Sequence, residues 1–326
     1  MPESEFLIIM ITNFVIPATL LVILALGLNI QWGYTGLFNA GVGAFAGVGG
    51  YLFGMLTTGS FFNPVTEWQH WGPSVPWGIL PAAIVAMVAA GVLGVLVAIP
   101  TIRLRADYLA IATLAMAEII RLIFKNERRL TGGDLSLSYI PRPFAGSVPT
   151  GAQSDLVFMV LAAGIGLAIL ILVEFLGTLP WGRGLRAVRE DEDVAQALGK
   201  NAFRLKLGAF AVGCAIMGLF GALQGSYFGS LFPDSYASFL TFTAFTVVIL
   251  GGSGNPRGVV LGGYVFYLFI WGAQQLRVYV ERISTDLALR IDFFIQIIIG
   301  LLLVLFILYR PEGIIPERRY VPRAAE

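Results

Sequence analysis

The chain has 326 residues, of which 57% are hydrophobic and 13% are charged, and its mean hydropathy is +0.81. Soluble domains average about 25% charged residues, so this composition predicts a membrane protein that crosses the bilayer several times. One cysteine, Cys214, excludes an intrachain disulfide, and one histidine, His70, excludes a multi-histidine metal site. The net charge of +1 indicates no class of partner, whereas the positions of the charges along the chain are informative.

Nine apolar segments approach the roughly 20 residues that span a bilayer as a helix. They lie at residues 6–29, 34–57, 77–99, 107–124, 155–176, 207–229, 239–252, 258–276 and 291–309. The second is rich in glycine and the seventh is short, which makes both of them candidates for broken or re-entrant segments. We therefore predict an all-α, polytopic transmembrane helical bundle with eight to ten crossings. The acidic N-terminus is unlike a signal peptide, so the first segment is expected to be retained.

The Lys and Arg residues near the ends of these segments predict the orientation of the bundle. Arg103 and Arg105, the segment 181–206, Arg257 and the tail after Arg310 fall on one side, which should be the cytoplasm. The acidic N-terminus and residues 58–76 fall on the opposite side. Several basic residues at 125–129 and 277–290 also fall there, offset in part by neighbouring acids.

The most strongly charged interval is residues 181–206, which predicts a short amphipathic helix in water. Its acids at 190–193 would occupy the first turn, where the helix dipole favours negative charge, and Gly199 would follow the last turn. Val194, Ala195 and Leu198 would form a narrow apolar stripe. Two interpretations stay open from the pattern alone: a solvated surface loop, or a docking helix for a soluble partner.

Small residues in GVGAFAGVGG, at 41–50, lie three and four apart on one helical face. This spacing favours close helix packing, with a helix that lines or breaks at a substrate path as the alternative. The candidates for lining such a path combine small or uncharged polar character with a position inside an apolar segment. They are Asn39, Gly41, Thr113, Gln224 and Thr243.

The sequence contains no phosphate-binding loop, because GGSGNPRG at 251–258 lacks the terminal Lys-Ser/Thr pair. His70 stands alone, so there is no nucleophile–base set, and we expect neither an enzyme nor a bound cofactor. Glu118 lies inside the fourth segment with Arg121 three residues later on the same helical face. An internal ion pair is one interpretation, and a proton-carrying carboxylate is the other.

Six blocks of the sequence resemble the M-type membrane permease subunit of bacterial branched-chain amino acid ABC importers. These blocks are GYTGLFNAG (33–41), RLRADYLAIATLAMAEIIRLI (103–123), LTGGDLSL (130–137), GRGLRAVREDEDVAQALG (182–199), ILGGSGNPRGVVLGG (249–263) and LYRPEGI (308–314). The resemblance implies a type II ABC importer-like bundle, with residues 1–326 forming one permease domain. It also implies a cytoplasmic coupling loop at about 177–206 and a cytoplasmic tail at about 310–326.

By the same resemblance, the partners are a second permease subunit of the H type, two cytoplasmic ATPases and a periplasmic substrate-binding protein. ATP would be used by the ATPases, the chain would sit among lipids of the bacterial inner membrane, and no nucleic acid would bind. The substrate would be a branched-chain or related amino acid. The residues implied in ATPase coupling are Glu190, Asp191, Asp193, Val194, Ala195, Leu198 and Gly199. The alternatives are a proton-coupled secondary transporter of a small polar solute and a purely structural membrane scaffold.

Overall fold

The computed structural model describes most of the chain up to residue 281 and parts of the remainder. The described residues are 3–58, 61–63, 68–70, 78–104, 106–144, 151–281, 293–294, 296–298, 300–301, 304–305, 308–310 and 312–317. The first predicted segment is therefore fully observed. Most of the predicted segment 58–76, and residues 318–326 of the predicted tail, lie outside the described residues.

The described residues are almost entirely helical, which confirms the all-α prediction. The α-helices are α1 Glu3–Thr35, α2 Val42–Thr58, α3 Ile79–Thr101, α4 Ala106–Asn126, α5 Arg128–Thr131, α6 Ala152–Thr178, α7 Pro180–Glu190, α8 Glu192–Ala197, α9 Ala202–Phe228, α10 Ser238–Gly251 and α11 Pro256–Glu281. Two short antiparallel strand pairs join loops: β1 Phe61–Asn63 with β2 Trp68–His70, and β3 Leu137–Ser138 with β4 Ser230–Leu231.

Five of these helices are long and apolar enough to cross a membrane, judged by length and composition: α1, α3, α6, α9 and α11. The apolar helices α2 and α10 are shorter, with 17 and 14 residues. The 21-residue helix α4 carries Asp107, Glu118, Arg121 and Lys125 and does not meet the same criteria. Residues 291–309 are helical where they are described. The total of eight to ten crossings therefore stays a prediction.

Helix α9 lies at the centre of the bundle and packs against α1, α2 and α3. The approach to α2 is close because glycines meet there: a Cβ at Gly221 would collide with the carbonyl oxygen of Ala46 and lie 2.7 Å from the backbone nitrogen of Gly50. A Cβ at Gly27 of α1 would lie 2.8 Å from the carbonyl oxygen of Gly213. The interpretation of the glycine spacing as close helix packing is thus confirmed.

Helix α2 begins inside the bundle, and the N-terminal end of α10 lies against it. The predicted second segment, 34–57, is interrupted at residues 36–41, which are non-helical and mostly buried between α1 and α2. A Cβ at Gly43 would lie 3.0 Å from the carbonyl carbon of Tyr236, just before α10. The N-terminal ends of two short helices therefore adjoin. Non-helical backbone at this depth is compatible with a membrane because protein covers it.

Candidate functional site

The connection between α6 and α9 folds as two short helices that are joined at Asp191. This residue has an extended backbone (φ −155°, ψ 111°), and its carboxylate accepts a hydrogen bond of 3.0 Å from the N–H of Val194, so it caps α8. Asp193 lies in the first turn of α8, where the helix dipole stabilises its negative charge. Glu190 instead ends α7. The prediction of one helix with all four acids in its first turn is therefore corrected, because Asp191 starts a new helix.

Helix α8 ends as the sequence predicts, and its first turn is tied to α9. Gly199 has a left-handed backbone (φ +78°), and its N–H donates to the carbonyl of Gln196 at 2.9 Å. The ammonium of Lys206 lies 2.5 Å from a carboxylate oxygen of Glu192. A helix of six residues is too short to be stable by itself, so these caps and contacts fix its position.

The apolar stripe of α8 is divided between the interior and the surface. Val194 and Leu198 are 54% and 76% exposed, whereas Ala195 is 2% exposed. Ala195 packs with Val188 of α7 and Ala202 of α9. Of the three residues predicted to dock a partner, Val194 and Leu198 are exposed, whereas Ala195 is an internal residue of the small helix cluster. The docking role of Val194 and Leu198 stays a prediction.

The segments that the charge pattern assigned to one side of the membrane do lie together. The guanidinium of Arg189 in α7 donates to the carbonyl of Gly33 near the end of α1. Arg257 at the start of α11 lies 2.6 Å from Glu174 near the end of α6. Arg103 lies over the ring of Phe203 at the start of α9, at 5.5 Å from the ring centroid. These contacts lie among segments that were predicted to share one side, and Arg105 lies outside the described residues. Which side of the membrane these segments face stays a prediction.

On the opposite side, basic residues of the predicted outer segments are paired with carboxylates. Lys125 lies 3.2 Å from Asp134 and 3.7 Å from Asp234. Arg142 lies 2.6 Å from Asp155 at the start of α6. Lys125 is one of the basic residues that run against the predicted orientation, and the structure shows that Lys125 and Arg142 form local ion pairs between loops and helix ends.

Three of the five candidate path residues meet where the chain returns into the bundle. The N–H of Ala40 donates to Thr113 Oγ1 at 3.0 Å, and the N–H of Gly41 donates to the side chain of Asn39 at 2.8 Å. Asn39 and Thr113 are 0% and 1% exposed. In this conformation they therefore hold the non-helical segment 36–41 in place, next to the N-terminus of α2.

The remaining two candidates lie apart from this group. Thr243 Oγ1 donates to the carbonyl of Phe239 in its own helix at 2.9 Å. Gln224 of α9 has a buried Oε1 atom with no hydrogen-bond partner among the described residues. A direct role in lining a path stays a prediction for all five residues.

Gln31 completes the buried polar group, although the sequence analysis did not select it. Its amide nitrogen donates to the carbonyl of Phe210 at 3.0 Å, and its amide oxygen accepts from Asn39 at 2.8 Å. The side chain is 0% exposed. Helix α1 continues six residues beyond the end predicted at residue 29, so Gln31 is a polar residue within an apolar helix. That feature could have identified Gln31 as a candidate.

Glu118 and Arg121 form the ion pair that their spacing predicts. Arg121 Nη2 lies 2.5 Å from one carboxylate oxygen of Glu118, and Nε donates to the other at 3.0 Å. The same guanidinium also contacts Asp234, which precedes α10. Arg121 thus links α4 to the loop before α10, as expected for a structural role.

We expect Glu118→Gln to leave the pH dependence of uptake unchanged. Arg121 keeps Asp234 as an anionic partner in this variant, so its charge stays paired and the folded bundle should be retained. Uptake by the assembled transporter, measured between acidic and neutral pH beside the wild type, checks this. A selective loss of pH-dependent uptake would instead identify Glu118 as a proton carrier.

Membrane-long helices, a buried non-helical segment between α1 and α2 and apolar outer faces are together the features of a polytopic membrane protein. The family described as "Branched-chain amino acid transport system / permease component" matches residues 10–307. The chain belongs to this family. Membership confirms the prediction of a transport permease over the proton-coupled alternative, and it establishes a multi-pass membrane protein.

Individual relatives agree with the M-type assignment. The high-affinity branched-chain amino acid transport system permease protein LivM of Salmonella typhimurium is 30% identical over 319 residues, covering 91% of this chain and 68% of the relative. A probable LivM permease of Methanocaldococcus jannaschii is 30% identical over 316 residues, covering 91% and 90%. The LivH permease of Salmonella typhimurium is 26% identical over 298 residues, covering 89% and 91%. No solved structure matches the chain significantly.

Proposed function

We propose that this chain is the transmembrane subunit of an ATP-driven importer of branched-chain or related amino acids. The observation that carries the proposal is the form of α8: a capped helix, anchored on its inner face by Ala195, that presents Leu198 and Val194 to solvent. An apolar face on a two-turn helix outside the membrane is typical of a docking element. Relatives that are named as branched-chain amino acid permeases support the substrate class.

The chain would work without a catalytic residue or cofactor of its own. Cytoplasmic ATPases would bind the exposed face of α8, and ATP binding would displace α7 and α8 together. Arg189 ties α7 to the carbonyl of Gly33 in α1, so the displacement would reach the segment 36–41 and the adjoining ends of α2 and α10. The bundle would then change the side to which its path opens, which is alternating access.

The substrate path would involve the adjoining N-termini of α2 and α10. Helix N-termini carry partial positive charge and favour anionic groups such as an amino acid carboxylate. Because Asn39 and Thr113 are fully buried in this conformation, a path along them requires the segment 36–41 to move. A second permease subunit, of the kind represented by the LivH relative, would form the other wall of the path, and a periplasmic binding protein would deliver the amino acid.

The direct test is co-expression of a tagged copy of this chain with the H-type permease, the ATPases and the binding protein. We expect the ATPases and the second permease to co-purify in mild detergent. The reconstituted complex should take up leucine, isoleucine or valine only when ATP is enclosed with the ATPases. Uptake driven by a pH gradient without ATP would contradict the proposal, and so would a folded chain that retains neither partner.

We also expect α8 to face the cytoplasm of a bacterial inner membrane and the loop between α4 and α6 to face the periplasm. The two test positions are Gln196, exposed on α8, and Leu135, which is 54% exposed. In a Cys214→Ala background, a cysteine at Leu135 should react with a membrane-impermeant maleimide in intact cells. A cysteine at Gln196 should react only after lysis, and labelling of both positions in intact cells would refute this topology.

A further inference from the structure

The described part of the C-terminal tail, residues 312–317, is bound to the turn between α10 and α11. The N–H of Ile314 donates to the carbonyl of Leu250 at 2.9 Å, and the N–H of Ile315 donates to the carbonyl of Gly251 at 3.1 Å. The side-chain amide of Asn255 donates to the carbonyls of Ile315 and Pro316 at 3.3 and 3.1 Å. We call residues 312–317 the C-terminal strap.

The glycine-rich turn at 251–258 has the shape that the strap requires. Gly252 has φ +114°, and a Cβ there would collide with the carbonyl oxygen of Ile315. Gly254 has φ +85°, and a Cβ there would lie 2.5 Å from Glu317 Oε2. Side chains at these positions would be strained and would also displace the strap. The motif GGSGNPRG lacks the residues of a phosphate-binding loop, and its glycines are explained by the close approach of the strap.

The last described residue of the strap, Glu317, contacts α7 through two arginines. Its carboxylate oxygens lie 2.8 Å from Arg186 Nε and 2.7 Å from Arg189 Nη2. Arg189 also donates to the carbonyl of Gly33, and Arg186 lies over the ring of Tyr34 at 4.8 Å from its centroid. The side chains of Glu317, Arg189 and Arg186 are 20%, 27% and 34% exposed, so their charges are partly shielded from water and attract each other more strongly than fully exposed charges would.

The strap therefore lies between the coupling helices and a helix of the bundle interior. On one side it contacts α7, which is joined to α8 through the single residue Asp191. On the other side it holds the C-terminal end of α10, a helix of 14 residues whose N-terminal end adjoins α2 near Gly43. A displacement of α7 would reach α10 through Glu317 and the backbone hydrogen bonds of the strap. Such a chain of packed and hydrogen-bonded groups is a physical route for coupling between distant sites.

We propose that the C-terminal strap transmits movement of the coupling helices, α7 and α8, to α10. Glu317 is the positioning residue where the strap contacts α7. The proposal rests on the proposed function, because it assigns how ATPase movement would reach the bundle. Docking and transmission are separate in this arrangement, since Leu198 and Val194 lie on α8 whereas Glu317 contacts α7. Loss of Glu317 should therefore uncouple the ATPases without releasing them.

The test is Glu317→Gln in the complete complex with the second permease, ATPases and binding protein. We expect normal ATPase co-purification and continued ATP hydrolysis, while amino acid uptake per ATP falls roughly tenfold, within the typical range for coupling between sites. Asp107→Asn is the matched control, because it removes an exposed carboxylate from the start of α4. The control should keep the wild-type ratio of uptake to hydrolysis.

A double variant identifies the contact through which Glu317 acts. Arg189→Gln alone should lower the ratio further than Glu317→Gln, because Arg189 also contacts Gly33. Because Glu317 contacts both arginines, the comparison uses the double variant Arg186→Gln/Arg189→Gln, and adding Glu317→Gln to it should lower the ratio no further. Additive losses would overturn the assignment of Glu317 to α7.

The remaining outcomes are equally decisive. An unchanged uptake ratio in Glu317→Gln would overturn the strap proposal, and loss of the ATPases would assign Glu317 to docking instead. A loss of folded protein, measured as monodisperse yield and unfolding temperature, would assign it to stability alone. If the wild-type complex retains no ATPase and shows no ATP-driven uptake, the proposed function fails and the strap proposal fails with it.

Discussion

Leu198→Asp is expected to abolish both ATPase co-purification and ATP-driven uptake while leaving the folded bundle intact. Leu198, the C-cap residue that follows α8, is 76% exposed and contributes little to the interior of the chain. A charge at the centre of a docking surface would have to be buried against the partner without a counter-ion. Interfaces concentrate their energy in a few central side chains, whose loss costs roughly 2 kcal/mol or more, so binding should fall at least about thirtyfold.

The experiment compares Leu198→Asp with two variants of the same segment. Lys200→Ala changes an exposed charge beside α8, and its effect should be about 0–1 kcal/mol. Ala195→Asp should instead reduce the yield of folded protein, because Ala195 is buried between α7 and α9. Full ATP-coupled uptake by Leu198→Asp would show that α8 is a surface element without a docking role.

The position of the helices followed from composition because apolar length is a direct requirement of the bilayer. Their ends depended on contacts that the sequence pattern does not contain. Helix α1 extends to Thr35 because Gln31 is satisfied by the carbonyl of Phe210 and by Asn39. In the sequence, a polar residue whose hydrogen-bond partners lie in other parts of the bundle cannot be distinguished from a polar residue at the end of a helix.

The docking segment shows the same limit on a smaller scale. The spacing of Val194, Ala195 and Leu198 correctly indicated an amphipathic helix, and the left-handed backbone of Gly199 confirms where it stops. Spacing alone could not show which side of that helix faces the chain. Val188 and Ala202, which cover Ala195, come from the helices before and after α8.

The contact between the strap and the turn before α11 could not be predicted from the sequence, for a different reason. Asn255 and Pro316 are 61 residues apart and neither belongs to a periodic pattern. From the sequence, the glycines of the turn indicated only a loop. Glycine is needed there because the strap backbone approaches closely, and this tertiary contact cannot be read from the sequence. Likewise, the glycines of the apolar run at 34–57 made it a candidate for a broken segment without showing where the break falls, since the interruption at 36–41 depends on hydrogen bonds with Thr113 and Thr241 in other helices.

Gly221→Ala is expected to destabilise the bundle strongly, although it adds only one methyl group. The added Cβ would collide with the carbonyl oxygen of Ala46 and lie 2.7 Å from the nitrogen of Gly50. Both atoms belong to the backbone of α2, which cannot rotate away as a side chain does. Overpacking of this kind costs about 1–3 kcal/mol and sometimes more, so α2 and α9 must separate and lose contacts along their interface.

Gly164→Ala in α6 is the matched control, because a Cβ there has no non-neighbouring atom of the described residues within 4 Å. Alanine is the better helix former by about 1 kcal/mol, so this variant should unfold at the wild-type temperature or slightly above it. Thermal unfolding of the purified chains in detergent, together with the monodisperse fraction on size exclusion, makes the comparison. If Gly221→Ala matched Gly164→Ala in both measurements, the close approach of α2 and α9 would not be what holds the centre of the bundle together.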